Sequence, residues 1–574
     1  MRTAPMSEEV RPADPAPVED GAIPPGEKSI GAILFFVAFA LRCFYVFRYR
    51  YDSDEPQHLH TTWGWTQGLL QYRDFFDNHT PLFHILFAPL VAALGERTNI
   101  LDFMRLAMVP LWLVSLWCVW LIGTALFSRR VGLWATVLIS LLPWWFFCSV
   151  EYRTDNLWTP LWLGAVATLV CGQFSKRRAF FGGLLLGLCF TVSLKTSLLC
   201  AVLAMAVFCT LLIGARRLGL AGIGHILATA WPVLVGMVIA PAILISFFYL
   251  KGAWEPFFYG TIKHNLVPDV DAKNHPSRLR LVFWIALPFL LAIATWIAHR
   301  APDTARALRR AGLFLLAGMY YTALYTFWTL LTRQDYLPFY PLAMVLLAPL
   351  LIAGAHRFLA SRAASGLAGV GVLLIILVLG GRPPWIDGTQ REREILGEVL
   401  RLTKPGEYVM DFKGESVFRQ RAFFYVTEPL TFVRMRRMIL ADTVAEDLLA
   451  KRVFVVLNQD RWYPKNGARF MTENYLAVGR MRVAGKVIAG KPVTANDAIR
   501  FDVAVPASYA IWADGQAIAG SLDGSPNTEP RELTAGLHEF TPDAAHGPVA
   551  IFWARAAEAG FKPVVDQVGW QDFR

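Results

Sequence analysis

Apolar runs recur from Ile30 to Leu379, and several are long enough to cross a bilayer core of about 30 Å. No other feature constrains the chain as much. Hydrocarbon offers no partner to backbone N–H and C=O groups, so such runs read as membrane helices. The chain is 55% hydrophobic with a mean hydropathy of +0.41, far from the soluble average. After Gly381, Arg, Glu, Asp and Lys become frequent, which marks a water-soluble C-terminal part. Residues 1–29, rich in Pro, Glu and Ala, read as a disordered cytoplasmic tail. The first apolar run follows that tail at full length, so no cleavable signal peptide is expected.

The pattern predicts about eleven transmembrane helices between residues 30 and 381. They lie near 31–47, 105–127, 132–150, 158–174, 180–194, 197–214, 224–249, 281–298, 311–331, 338–355 and 364–380. Alternate links carry Arg129-Arg130, Lys176-Arg177-Arg178, Arg216-Arg217, Arg300 with Arg306, Arg309 and Arg310, and Arg357 with Arg362. That side is cytoplasmic by the positive-inside rule, and the remaining links face outward with the C-terminal domain. Pro81 to Leu90 is apolar but short, and a span there would break the alternation. It reads as an amphipathic helix at the outer interface, within a large outer loop over 48–104. The net charge of +11 sits largely in these links, which argues against a nucleic-acid partner. All seven Cys lie in or beside apolar runs and form no metal or disulfide pattern.

Ionisable residues collect on the outer side. Asp52, Asp54, Glu55, His58 and His60 follow the first span; Asp74, Asp77, Asn78 and His79 share its loop. Glu151, Arg153 and Asp155 sit between spans three and four, and Lys195 ends span five. Lys263 and His264 follow span seven; Arg333, Gln334, Asp335 and Tyr336 follow span nine. Charges beside hydrocarbon are costly, so such clusters mark function. A carboxylate there removes a proton from an acceptor hydroxyl, and cations or a metal hold a phosphate leaving group. Each has a plainer rival. Lys195 can snorkel to the interface, Arg153 can pair only with Asp155, and Arg333 can anchor at headgroup level. His58 and His60 lack a convincing zinc spacing.

These residues resemble the motifs of the GT-C fold glycosyltransferases, with the protein O-mannosyltransferases and the lipid A aminoarabinose transferases as the nearest groups. Asp54-Glu55 is similar to their acidic motif after the first span. His79-Thr80-Pro81-Leu82 is similar to a His-Pro-Pro-Leu stretch, with Thr80 in place of the first Pro. Arg153-Thr154-Asp155 resembles the Arg-x-Asp that opens their fourth span, and Arg333 to Pro338 resembles a late Arg-x-x-Tyr/Leu-x-Pro. The resemblance implies inverting transfer from a polyprenyl-phosphate-linked sugar donor to an envelope glycan, lipid or protein. It implies Asp54 as base, with Glu55 and Asp155 as further catalytic carboxylates. His79, Arg153, Lys195, Lys263, His264, Arg333 and Tyr336 are expected to bind donor phosphate or substrate. No cofactor is established by the sequence. A divalent metal ion stays open, with Asp54 and Asp155 as its candidate ligands. The expected location is the bacterial inner membrane, with the site facing the periplasm.

The C-terminal part is expected to divide into an α/β domain over 382–495 and a β-sandwich-like domain over 496–574. Two other functions compete. A lipid or sugar transporter or flippase would place ionisable groups near the bilayer midplane. A polymer ligase would use a diphosphate-linked donor.

Overall fold

The computed structural model of the chain describes residues 23–267, 281–300, 303–328, 330–459 and 463–564. Among the described residues, sixteen α-helices come first. They are α1 (Pro25–Val46), α2 (Asp54–Thr66), α3 (Leu82–Leu94), α4 (Ile100–Leu106), α5 (Met108–Leu126), α6 (Arg129–Leu141), α7 (Pro143–Val150) and α8 (Asp155–Val170). Then follow α9 (Lys176–Val192), α10 (Thr196–Ala230), α11 (Pro232–Leu250), α12 (Trp254–Phe258), α13 (Val282–Arg300), α14 (Thr304–Phe327), α15 (Phe339–Leu359) and α16 (Ala363–Gly381).

The chain is an integral multi-pass membrane protein. Among the described residues, five helical units are long and apolar enough to cross a membrane, or six with the α6–α7 pair, which bends by 66°. Several boundaries differ from the sequence expectation. α1 starts at Pro25, inside the segment expected to be disordered up to residue 29. Proline suits a first helical turn, and Glu27 is buried against Arg130 and the Trp134 indole. Residues 1–22 lie outside the described residues. Arg216-Arg217, expected in a link, lies just before Gly219, whose non-helical backbone (φ +65°, ψ 170°) breaks α10 into two helical pieces there. Pro81 to Leu90 forms most of α3, which packs on α2.

α9 and α11 approach each other closely. A Cβ on Gly183 would strike the Val233 carbonyl, and one on Gly236 would strike that of Phe180. Small residues let membrane helices approach this way where lipid gives no hydrophobic drive.

The C-terminal part begins with α17 (Gln390–Leu402), whose apolar face packs into the soluble core. Its strands are β1 (Tyr408–Met410), β2 (Gln420–Arg421), β3 (Val455–Leu457), β4 (Tyr475–Ala477), β5 (Met481–Ala489), β6 (Ile499–Val503), β7 (Ala507–Ala513), β8 (Gln516–Ala517), β9 (Gly520–Leu522), β10 (Ser525–Asn527), β11 (Arg531–Leu533), β12 (Gly536–Pro542) and β13 (Val549–Trp553). One sheet runs β11-β7-β13-β5-β3-β1-β2, and a second runs β10-β9-β12-β6. The expected boundary at residue 495 is therefore corrected. β5 pairs with β3 on one side and β13 on the other, so one sheet crosses it. Between β2 and β3 lies α18 (Pro429–Arg436), which rests on the segment after α12.

Candidate active site

The segment Tyr51 to Glu55 shapes the first turn of α2. Asp52 Oδ1 accepts from the Asp54 N–H at 3.2 Å, and Glu55 Oε1 accepts from the Asp52 N–H at 2.7 Å. This is a capping-box arrangement, legible as Asp52-x-x-Glu55. It also decides the role of Glu55, whose side chain is fully buried. Its Oε2 accepts from Arg105 Nε and the Tyr152 N–H, each at 2.7 Å, and Arg105 Nη2 covers Oε1. The expectation that Glu55 is catalytic is corrected. Both its oxygens are occupied, and it ties α2 to α4 and to the α7–α8 link.

Asp54 instead stays partly accessible, with its side chain 21% exposed. Arg153 and Lys413 both donate to its carboxylate. Arg153 also bonds Asp52, and its Nε reaches Asp155 Oδ2 at 3.3 Å. Lys195 Nζ donates to Asp155 Oδ1 at 2.9 Å and pairs with Asp335. Asp335 is fixed in turn by the Thr332 N–H at 2.6 Å. A file of alternating charge results, in the order Lys413, Asp54, Arg153, Asp155, Lys195, Asp335. Burial alone would raise the Asp54 carboxyl, but Lys413 and Arg153 outweigh it and hold it well below the usual carboxylate range. Glu151, beside them, moves the other way. Burial and Asp52 push it well above its ordinary value, and it accepts from Gln334 Nε2 at 2.8 Å.

A histidine group backs α2. His79 Nδ1 lies 3.1 Å from Asp77 Oδ1, and its ring is 4.6 Å from that of His58. His58 Nδ1 is 3.1 Å from His84 Nε2. Burial lowers His79, yet Asp77 outweighs it and raises the imidazole above its ordinary value. Gln57 Nε2 holds Asp77 at 2.8 Å.

The structure does not bring every expected residue to this cluster. Arg333 stacks on Trp144 at 4.5 Å and lines a neighbouring pocket of about 260 Å3 with Arg50, Arg382, Glu151, Phe147 and Leu377. Lys195 and Arg333 thus do not share that pocket. Tyr336 sits in an aromatic group, 5.2 Å from the Tyr321 ring. Lys263 is exposed, with Nζ 5.6 Å from the Phe258 ring centroid. His264 is buried, with Nε2 3.6 Å from Glu428 Oε1, and Arg434 of α18 caps the Lys263 and His264 carbonyls. This pair docks the C-terminal domain rather than joining Asp54.

A divalent metal, which the sequence leaves open with Asp54 and Asp155 as its candidate ligands, is not favoured by their surroundings. Each carboxylate already faces two cations. Among the described residues, no group of three or more His, Cys, Asp or Glu side chains converges as a metal site. The residues that sequence reasoning missed are Arg105, which holds Glu55, and Lys413, which enters from the C-terminal domain.

This architecture is the fold of the GT-C membrane glycosyltransferases. The particular likeness is to ArnT from Cupriavidus metallidurans. Its apo structure aligns with a TM-score of 0.52 at 14% identity, over 80% of this chain and 98% of that one. The same protein bound to undecaprenyl phosphate aligns at 0.50 and 15% identity, over 79% and 98%. The apo oligosaccharyltransferase of Archaeoglobus fulgidus gives 0.42 at 12% identity, over 78% and 72%. No family model and no curated protein sequence matches the chain.

Proposed function

We propose that the protein is an inverting glycosyltransferase that moves a sugar from a polyprenyl-phosphate-linked donor to a hydroxyl of a cell-envelope acceptor, whether glycolipid, polysaccharide or protein. The observation that carries this reading is the cluster of Asp54, Arg153, Asp155 and Lys195 at one end of a helical bundle with the ArnT fold. The undecaprenyl phosphate bound to ArnT supports the donor class. The acceptor O–H gives its proton to Asp54 while its oxygen attacks the anomeric carbon. The bond from that carbon to the phosphate oxygen breaks, and polyprenyl phosphate leaves with inversion at the sugar. Arg153 and Lys195 hold the phosphate, and Asp155 orients both cations. His79, raised by Asp77, adds positive charge behind the base. Lys263 with His264 keeps the C-terminal domain seated beside the cluster. Arg333, with Arg50 and Arg382 above the apolar Phe147 and Leu377, suits a phosphate-bearing lipid headgroup. The site faces the outer side of the bacterial inner membrane, as the Arg and Lys bias of the links favours.

The test is mass spectrometry of envelope glycans and lipids with and without the gene, joined to release of polyprenyl phosphate by the purified protein. Loss of one glycan modification, and sugar-dependent lipid release, are expected. An unchanged envelope together with intact donors would sink the proposal. Donor crossing the membrane uncleaved would favour a flippase instead.

A further inference from the structure

We infer that Lys413 of the C-terminal domain completes the active site: its ammonium group leaves Asp54 for the phosphate of the bound donor, and donor binding thereby frees the base. This rests on the glycosyltransferase reading above.

The loop that carries Lys413 is built to aim it. Asp411 accepts from the N–H groups of Gly414 and Ser416 at 3.0 and 2.8 Å, and from Arg421 Nε at 2.7 Å. Gly414 has φ +102°, and a Cβ there would lie 2.7 Å from the His60 Cβ, so only glycine seats the loop on α2. His60 Nδ1 closes the contact at 2.9 Å from the Val417 carbonyl. The backbone is thus fixed, while the ammonium group rides a flexible four-carbon stem. That stem reaches Asp54, and Lys413 keeps 10% of its side chain exposed. Of its three N–H donors, one serves Asp54, the only hydrogen-bond acceptor of this ammonium among the described residues. Asp54 meanwhile has Arg153 as a second cation. A carboxylate held by two cations is a poor proton acceptor, and removing one restores its basicity. A phosphate arriving between Lys195 and Asp54 offers Lys413 a competing anion. No covalent bond changes in this exchange; one ion pair replaces another.

The test uses the full chain in lipid nanodiscs with undecaprenyl phosphate as the probe. Lys413→Ala is expected to weaken binding by about 10-fold or more, the worth of a charge-assisted contact. Lys413→Arg, which keeps the charge, retains binding. Asp54→Asn removes the competing carboxylate and is expected to bind the lipid more tightly than the wild type. That gain vanishes in the double variant with Lys413→Ala. A merely structural Lys413 would give no gain in Asp54→Asn, so this arm stands even if Lys413→Ala folds poorly. If the wild type binds the lipid and neither single variant shifts the affinity, the exchange is wrong and the donor reading survives. If the wild type binds no polyprenyl phosphate, the donor reading fails and the exchange fails with it.

Discussion

Asp54 and Glu55 are neighbours in sequence with opposite fates, because successive helical residues point about 100° apart. One carboxylate stays partly accessible and the other is fully buried. Asp54→Asn keeps the size but removes the proton acceptor. Its transfer rate is expected to fall by about 10²–10⁴-fold, measured as sugar release from donor by the purified protein. Glu55→Gln strands Arg105 among buried groups, and losing one partner of a buried pair typically costs about 3–5 kcal/mol. A lowered unfolding temperature, disproportionate to any change in substrate affinity, is the expected result. Glu415 offers a pH test. Burial, helped by Asp411, lifts its carboxyl from 4.5 to about 7. Across that window the folded chain keeps a proton that the unfolded chain releases. The contribution of Glu415 is therefore full below about pH 4.5 and is lost as pH rises through about 7. Glu415→Gln is expected to melt higher than the wild type at about pH 8 and to flatten the pH dependence of unfolding.

The elements show how much of this was legible beforehand. Asp54, Arg153, Asp155 and Lys195 could be read because each sits at the end of an apolar run, where charge is costly. The cap that buries Glu55 was also written locally, as Asp52-x-x-Glu55, but a capping box and a catalytic pair share the same letters. Lys413 was not legible. It meets Asp54 across 359 residues, and its own segment shows only a turn. Arg333 was misplaced for a related reason. Sequence fixes which end of the bundle a cation occupies, not which side of a helix it falls on. The contact between the glycines of α9 and the carbonyls of α11 is visible only in the structure. Gly236→Leu is expected to force that pair apart. Its signature is a broadened or aggregated profile in size-exclusion chromatography in detergent, whereas a normal profile would show that the contact is dispensable.

At the scale of the whole molecule, the Lys413–Asp54 pair places the C-terminal domain and the site on one side of the bundle. The charge bias proposes that this side is the outer one. Ser53 and Ser361 are both exposed and serve as reporters in a background lacking the native cysteines. A cysteine at position 53 is expected to react with an impermeant reagent added outside, and one at 361 only after permeabilisation. The reverse pattern would invert the orientation.

The strand order has a temporal consequence. β5 completes its pairing with β13, residues 549–553, far along the chain from the membrane helices. β1, which leads into the Lys413 loop, belongs to that same sheet. During synthesis the membrane helices and Asp54 emerge long before the strand that closes the sheet, and pairings so distant form late. Until that sheet forms, the strand that leads into the Lys413 loop lacks part of the frame that holds it. Formation of the C-terminal sheet then becomes the step that brings the lysine to the base.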